Sequence, residues 1–324
     1  MKKIDLIDKK LLFELDMNAR ATNAELAKAL RISKQSVQYR IHILQKRGVI
    51  KGFYTVLDFS KIGFLYVRFF VKFKDITKEI ENEIINYCVN NHNYSWIVSI
   101  DGRWDLAIVF LVDDYVRIKE LADEFLSHHG TCVDSYEISI ATRIDHLQNR
   151  FFLEGQQGRE LSIGGKLCVG NIDELDRKVI SELAVNARAR LNTIAAELGV
   201  SYKVVSYRIQ SLLKQGIIKL FRVDIDYNAM GFTHYKIFVH LKDFKPEHIQ
   251  GMKSFIASHP NTIYITEAIG LAELEFEVIF DAYSKLHDLL QQMRTEFPAI
   301  IKDHYSVILY KFYRINYFPT SPDN

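Results

Sequence analysis

Sliding the sequence along itself by 168 positions brings two halves into register without a gap, and this duplication limits the folds open to the chain more than any other feature. Asp8 meets Asp176, Asn18-Ala19-Arg20 meets Asn186-Ala187-Arg188, Ser33 meets Ser201, and Tyr39-Arg40-Ile41 meets Tyr207-Arg208-Ile209. The match continues through Leu44 and Leu212, Gly48 and Gly216, Gly63-Phe64 and Gly231-Phe232, Gly102 and Gly270, and Tyr115 and Tyr283. A repeat of this length is a whole folding unit, unlike the short repeats of a solenoid.

Each half changes its hydrophobic period part of the way along. Leu6, Leu11, Leu12 and Leu15 predict a helix over about Asp5 to Met17. Thr22 and Glu25 have the spacing of a capping box, opening a second helix with Leu26, Ala27 and Leu30 apolar. After the tight turn Arg31-Ile32-Ser33, Ser33 caps a third helix in which Val37, Ile41 and Leu44 share one face, and Gly48 stops it. Three helices with such a turn between the last two predict a helix-turn-helix, whose final helix enters the major groove. The face opposite the stripe carries Lys34, Gln35, Gln38, Tyr39, Arg40 and His42, with no acid. Of these, Lys34, Gln35, Gln38, Tyr39 and Arg40 are expected to face DNA, as are Tyr202, Lys203, Ser206, Tyr207 and Arg208 in the second copy. Arginine offers a fork to guanine or phosphate, and glutamine pairs with adenine. For Arg40 and Arg208 an ion pair to the first helix is the competing role. Gln35 and Gln38 stand where the second copy has Lys203 and Ser206, so the two half-sites should differ in sequence.

Beyond the helices the period falls to two. Val67, Phe69, Val71 and Phe73 alternate with Arg68, Phe70, Lys72 and Lys74, the rhythm of a half-buried strand. The rest of the unit reads as helix (about Lys78 to Val89), strands (about Trp96 to Ile100 and Asp105 to Val112), helix (about Tyr115 to His128) and strand (about Val133 to Ile144). The order βαββαβ is that of a ferredoxin-like domain. The expected fold is therefore α+β, with two copies of a winged helix-turn-helix domain followed by a ferredoxin-like domain. The boundaries read 1–52, 53–144, a linker at 145–170, 171–222, 223–314 and a tail at 315–324 whose end is expected to be disordered. A flexible linker of that length would span roughly 25 to 30 Å, close to the roughly 34 Å between adjacent half-sites, so it does not decide whether the halves pair within a chain or between chains.

Charge follows the same plan. Segment 1–52 carries 12 Lys/Arg against 5 Asp/Glu, and 53–144 carries 9 against 14. Segment 171–222 carries 9 against 5, and 223–314 carries 9 against 12. A polyanion would be drawn to the first and third segments and repelled by the other two, so DNA would engage only part of the molecule. Cys88, Cys132 and Cys168 are scattered and form no Cys-x-x-Cys, which argues against structural zinc and suits a reducing compartment. No apolar run reaches the roughly 18 to 20 residues of a membrane span, and the charged start MKKIDLIDKK is unlike a signal peptide, so a cytoplasmic location is expected.

Several motifs together resemble the leucine-responsive (Lrp/AsnC, "feast/famine") transcription regulators. They are the opening Ile-Asp-Leu-Ile-Asp-Lys-Lys-Leu-Leu, the Asn-Ala-Arg turn, the Glu-Leu-Ala of the second helix, the pattern Ser-x-x-x-Val-x-x-Arg-Ile-x-x-Leu-x-x-x-Gly-Val-Ile, and the Gly102-x-x-Asp105 hairpin. The resemblance implies winged DNA binding, dimerisation through the sheet domains (RAM-type), a homo-oligomer, and often a small effector such as an amino acid near the hairpin. Most members carry one copy. Gly102, Arg103, Trp104 and Asp105 put a cation, an aromatic plate and a carboxylate on one turn and are the expected effector site, with packing of Trp104 on a neighbouring domain as the competing role. The second copy, Gly270-Leu271-Ala272-Glu273, has lost the cation and the ring.

The outward sheet faces show Phe70, Ala107, Val109 and Leu111 in the first copy and Phe238, Glu275, Glu277 and Ile279 in the second. Arg68 and Lys72 could meet Glu275 and Glu277, so the two sheets are expected to stack within one chain. The competing arrangement pairs Glu275 and Glu277 with Lys236 and His240 on their own sheet. The chain is read as a non-enzyme with no cofactor and no metal. Two alternatives remain open, an interaction protein with decayed DNA binding and an enzyme resembling the sirohaem decarboxylases, for which His92, His128, His129, His234 and His240 are available.

Overall fold

The computed structural model describes residues 4–153, 155–168 and 170–318. The first helix-turn-helix comprises α1 (Leu6–Met17), α2 (Asn23–Leu30) and α3 (Lys34–Lys46). Asp5 and Asp8 form a capping box on α1, and Thr22 and Glu25 form one on α2. Arg31 takes a left-handed conformation (φ 55°) to turn the chain into α3. Strand β1 (Ile50–Leu57) leads into β2 (Leu65–Phe73), α4 (Lys78–Asn90), β3 (Tyr94–Asp101), β4 (Leu106–Val112), α5 (Tyr115–His129) and β5 (Val133–Leu147). After β6 (Glu160–Gly164) the second copy repeats this order. It consists of α6 (Glu174–Val185), α7 (Leu191–Glu197), α8 (Tyr202–Lys214), β7 (Ile218–Ile225), β8 (Thr233–Leu241), α9 (Pro246–Ser258), β9 (Thr262–Ile269), β10 (Leu274–Phe280), α10 (Tyr283–Glu296) and β11 (Ile301–Ile315).

The two four-stranded sheets join at both edges, through β3 with β11 and β5 with β9, and β2 pairs with β5, so eight strands close into a ring. Closure removes the unpaired edges that would otherwise template association. Leu106, Ile108, Phe110 and Val112 face α4 and α5, as the alternation predicted. On the other face Phe70, Ala107 and Phe238 pack with Val98, Trp104 and Val307 in a core between the two halves, where Phe70 and Phe238 meet edge to face at 5.5 Å. Each Val or Phe side chain so removed from water contributes roughly 1.5 to 3 kcal/mol.

Stacking within one chain is therefore what the structure has, although the charges across the interface divide. Arg68 pairs with Glu275 across the halves, whereas Lys72 turns to Asp105 on its own sheet. On its own sheet Lys236 of neighbouring β8 bonds both Glu275 (2.8 Å) and Glu277 (2.9 Å), and His234 also holds Glu277, as the competing arrangement had it for Lys236.

The helix-turn-helix units are joined by an antiparallel pairing of β1 with β7. The join is reciprocal: the Ala19 amide donates to the Phe221 carbonyl (2.7 Å), and the equivalent Ala187 amide donates to the Phe53 carbonyl (3.0 Å). Arg20 adds bonds to the carbonyls of Ala187 and Ala189.

Segment 145–170, expected as a linker, contains ordered structure. β6 adds to the end of β5, the Gly164 amide donates to Asp58, and the Cys168 amide donates to the Ser60 carbonyl. Gly164 has φ +98°, and a Cβ there would lie 2.6 Å from the Thr142 carbonyl oxygen, so this glycine serves a close approach of backbones. At the other end, β11 runs to Ile315, and Tyr317 and Phe318 are buried against the first half, so part of the segment read as a tail is packed. Residues 319–324, read as its disordered end, lie outside the described residues.

Candidate nucleic-acid interface

Helices α3 and α8 are built the same way. Ser33 caps α3 by accepting from the Ser36 amide (3.1 Å), and Ser201 caps α8 by accepting from the Val204 amide (3.4 Å). Val37 and Leu44 of α3 are buried, as are Val205, Ile209 and Leu212 of α8, which fixes each helix by its apolar stripe. Neither first turn carries an acid, so the partial positive charge of each helix N-terminus stays available to an anion.

Seven of the ten expected DNA-facing residues are exposed: Lys34, Gln35, Gln38 and Tyr39 on α3, and Tyr202, Lys203 and Tyr207 on α8. Ser206 is half-buried. Tyr39 and Tyr207, at 66% and 70% exposure, are two of the most open large side chains of the molecule. An aromatic ring held so openly suits stacking or contact with sugar and phosphate.

Arg40 and Arg208 need correction. The Arg40 guanidinium lies 2.8 Å from Asp5 and 2.6 Å from Asp8, the two residues of the α1 capping box. Arg208 repeats this with Asp173 (2.5 Å) and Asp176 (3.3 Å) on α6. Burial pushes the Asp5 carboxyl up, but the Asp8 amide and Arg40 outweigh it and hold the group below its usual range. Bonding to Asp173 raises Arg208. These arginines lock the third helix of each unit onto the first, and the sequence alone left that role open beside base reading.

The expected effector turn is also used internally. Gly102 adopts φ +133°, and a Cβ there would meet Val307 of the second half at 3.3 Å. Trp104 is 3% exposed and packs against Phe70, with its ring centroid 6.2 Å away. Arg103 lies over the rings of Trp104 and Tyr305. Asp105 accepts from the Phe73 amide (2.7 Å) and the Lys72 ammonium (2.8 Å). In the second copy Glu273 accepts from the Leu241 amide (3.1 Å), the equivalent bond. The carboxylate of Gly-x-x-Asp/Glu thus ties the hairpin to its neighbouring strand, and Trp104 belongs to the core between the halves.

Sequence reasoning missed a buried polar cluster between the wing pair and the ring. Asp16 on α1 accepts two bonds from Arg222 on β7 (2.9 and 2.6 Å), and both residues are 1% exposed. Arg222 also reaches Tyr264 (3.1 Å) and His146 (3.3 Å). Burial, then the nearby Arg222 charge, hold His146 well below the usual imidazole range. The equivalent positions on the other side are Ala184 and Tyr54, so the duplication gave no signal for this cluster.

Among the described residues, no group of three or more His, Cys, Asp or Glu could hold a metal ion, and no helix is long and apolar enough to cross a membrane.

A family model described as winged helix-turn-helix DNA-binding matches residues 4–51 and again 172–219. An uncharacterised HTH-type transcriptional regulator of Pyrococcus abyssi is 30% identical over 130 residues, 39% of this chain and 84% of that protein. A second from the same organism is 34% identical over 109 residues, covering 33% and 70% respectively. Among solved structures, the sirohaem decarboxylase NirDL aligns with a TM-score of 0.60 over 97% of this chain and 94% of its own, at 9% identity, a likeness of fold.

Proposed function

The chain belongs to the Lrp/AsnC-type helix-turn-helix transcription regulators, in a tandem form that binds DNA, and from that premise we propose that α3 and α8 of one chain read two unlike half-sites. The observation that carries this reading is the matched pair of exposed polar faces on helices whose apolar stripes are buried. On α3 the readers are Lys34, Gln35, Gln38 and Tyr39; on α8 they are Tyr202, Lys203, Ser206 and Tyr207. Arg40 and Arg208 orient these helices from behind. The units 1–52 and 171–222 do the reading, and 53–144 and 223–314 hold them together. We place the protein in the cytoplasm, assembled further as a homo-oligomer, with an amino acid or similar small effector as modulator.

The test is selection of bound sequences from random DNA, followed by anisotropy titrations across a salt series. Selected sites should be non-palindromic. Lys34→Ala and Lys203→Ala should each reduce the slope of log affinity against log salt by about 0.9. Perfectly symmetric selected sites, or slopes that do not move, would refute the assignment.

A catalytic reading is disfavoured, because a decarboxylase has no use for two exposed third helices without acids in their first turns. The shared fold with a sirohaem decarboxylase over nearly the whole chain makes the check worthwhile. An absorbance change after mixing with sirohaem, accompanied by loss of a carboxyl group, would establish that reading instead.

A further inference from the structure

Between the β1–β7 pair and the strand ring lies a cleft with a cavity volume of about 80 Å³. Its lining shows where it sits. Tyr54 and its counterpart Arg222 both face it, as do Tyr66 with His234 and Trp96 with Tyr264. A residue and its repeat can line one cleft only where the pseudo-twofold axis relating the halves passes through it.

Symmetry then makes the duplication matter. In a pair of identical chains, a cleft on the axis must be lined twice by the same residues. Here one side can differ from the other, and it does. The first half supplies Tyr54, Tyr66 and Trp96 beside Asp16 and Arg68, and the second half adds rings of its own in Tyr227, Tyr264 and Phe312. The second supplies His234, Thr266 and Glu277, where the first half has Tyr66, Val98 and Val109.

Two polar residues of the lining, one from each half, carry a buried atom without a partner. Arg68 and His234 are 3% and 4% exposed. Arg68 uses its terminal nitrogens on Glu275 and Ser139, while its Nε has no partner. His234 donates its Nε2–H to Glu277 (2.9 Å), and its Nδ1, which has no partner, is a donor only in the imidazolium form. Buried polar atoms without partners are costly, and a ligand that satisfies them recovers that cost.

We propose that this cleft binds one planar aromatic carboxylate per chain, in a single orientation, with the ring against Tyr54, Tyr66 and Trp96 and the carboxylate at Arg68 Nε and at the Nδ1–H of a His234 imidazolium. The site is separate from the hairpin turns, whose residues do not line it. The inference stands on the cleft alone and does not depend on the DNA reading.

The experiment is calorimetry of the full chain with phenylacetate and indole-3-acetate as probes. Hexanoate supplies a carboxylate without a ring, and 2-phenylethanol a ring without a carboxylate. The chain has two tryptophans, so Trp104→Phe leaves Trp96 in the cleft as the only fluorescent indole. An aromatic acid should saturate at one per chain, about tenfold more tightly than either control, and should change the Trp96 emission. His234→Phe keeps a ring beside Phe312 and removes the nitrogen, so it should weaken the aromatic acids about tenfold and leave 2-phenylethanol unchanged. Thr266→Val, nearly equal in volume, provides a second check on the polar wall if the first variant melts early.

Four outcomes would overturn the proposal. They are no saturable binding up to about 10 mM, two sites per chain, hexanoate binding as well as the aromatic acids, or sirohaem binding where no single-ring or indole acid does.

Discussion

The buried Asp16–Arg222 pair and its counterpart Ala184–Tyr54 are two solutions to one position in the fold, and this permits a quantitative test. Replacing Asp16 with Ala leaves the Arg222 guanidinium buried at 1% exposure without its carboxylate, a loss of about 3 to 5 kcal/mol. Arg222→Tyr leaves the carboxylate unpaired and should cost a similar amount. The double variant D16A/R222Y installs the Ala/Tyr combination found on the other side. What then remain unsatisfied are the Asn149 amide, which donates to the second Asp16 oxygen at 2.8 Å, and the His146 Nδ1 that Arg222 met at 3.3 Å, each worth about 1 to 3 kcal/mol. The double variant should therefore be no less stable than either single variant, with a coupling energy of about 3 kcal/mol or more. Urea unfolding of the four proteins, followed by far-ultraviolet circular dichroism, measures it. Losses that add to within about 0.5 kcal/mol would refute both the pairing and the equivalence of the two sides.

Other substitutions probe the remaining joints. A Cβ at Gly270 would lie 2.4 Å from the Ile138 carbonyl oxygen, at φ +112°, so Gly270→Ala should cost about 2 kcal/mol or more in thermal or urea unfolding. Burial pushes the Asp224 carboxyl up to about 6, above its unfolded value, so the native protein loses stability as pH rises through that range. Asp224→Asn removes this term and should stabilise the protein more at pH 7 than at pH 4. Burial alone would raise Glu277, but Lys236 and His234 bring its carboxyl down to about 2. Its contribution is present above the unfolded value near 4.5 and disappears as pH falls towards 2, and Glu277→Gln should flatten the stability profile in that window. Neutral, buried His146 acts in the same direction at higher pH: its own contribution falls away below about 6.5, where it opposes the gain from Asp224.

What the sequence revealed was whatever repeats or is local. Capping residues, the Val37/Ile41/Leu44 stripe and the alternation in β2 depend on spacings of two to four residues, and the duplication displayed each of them twice. The charges on opposing sheet faces pointed to stacking within a chain, and Arg68 with Glu275 fulfilled half of that reading. What stayed hidden was long-range and asymmetric. Asp16 and Arg222 are far apart in sequence, and their counterparts carry no charge. The β3–β11 and β5–β9 joins depend on backbone edges, which have no side-chain signature. Arg40 had two chemically sound partners, a base or the α1 carboxylates, and only coordinates choose between them. The glycines of segment 145–170 signal flexibility and close backbone approach equally well.

The doubled edge joins of the strand ring carry a consequence for how the protein responds to scarcity. When two separate subunits make such a ring, dilution releases them, and occupancy of an operator falls steeply once the dimer dissociates. Here the corresponding surfaces are tethered, so the paired reading heads persist however few copies are present. Occupancy by a lone molecule should then follow the first power of its abundance.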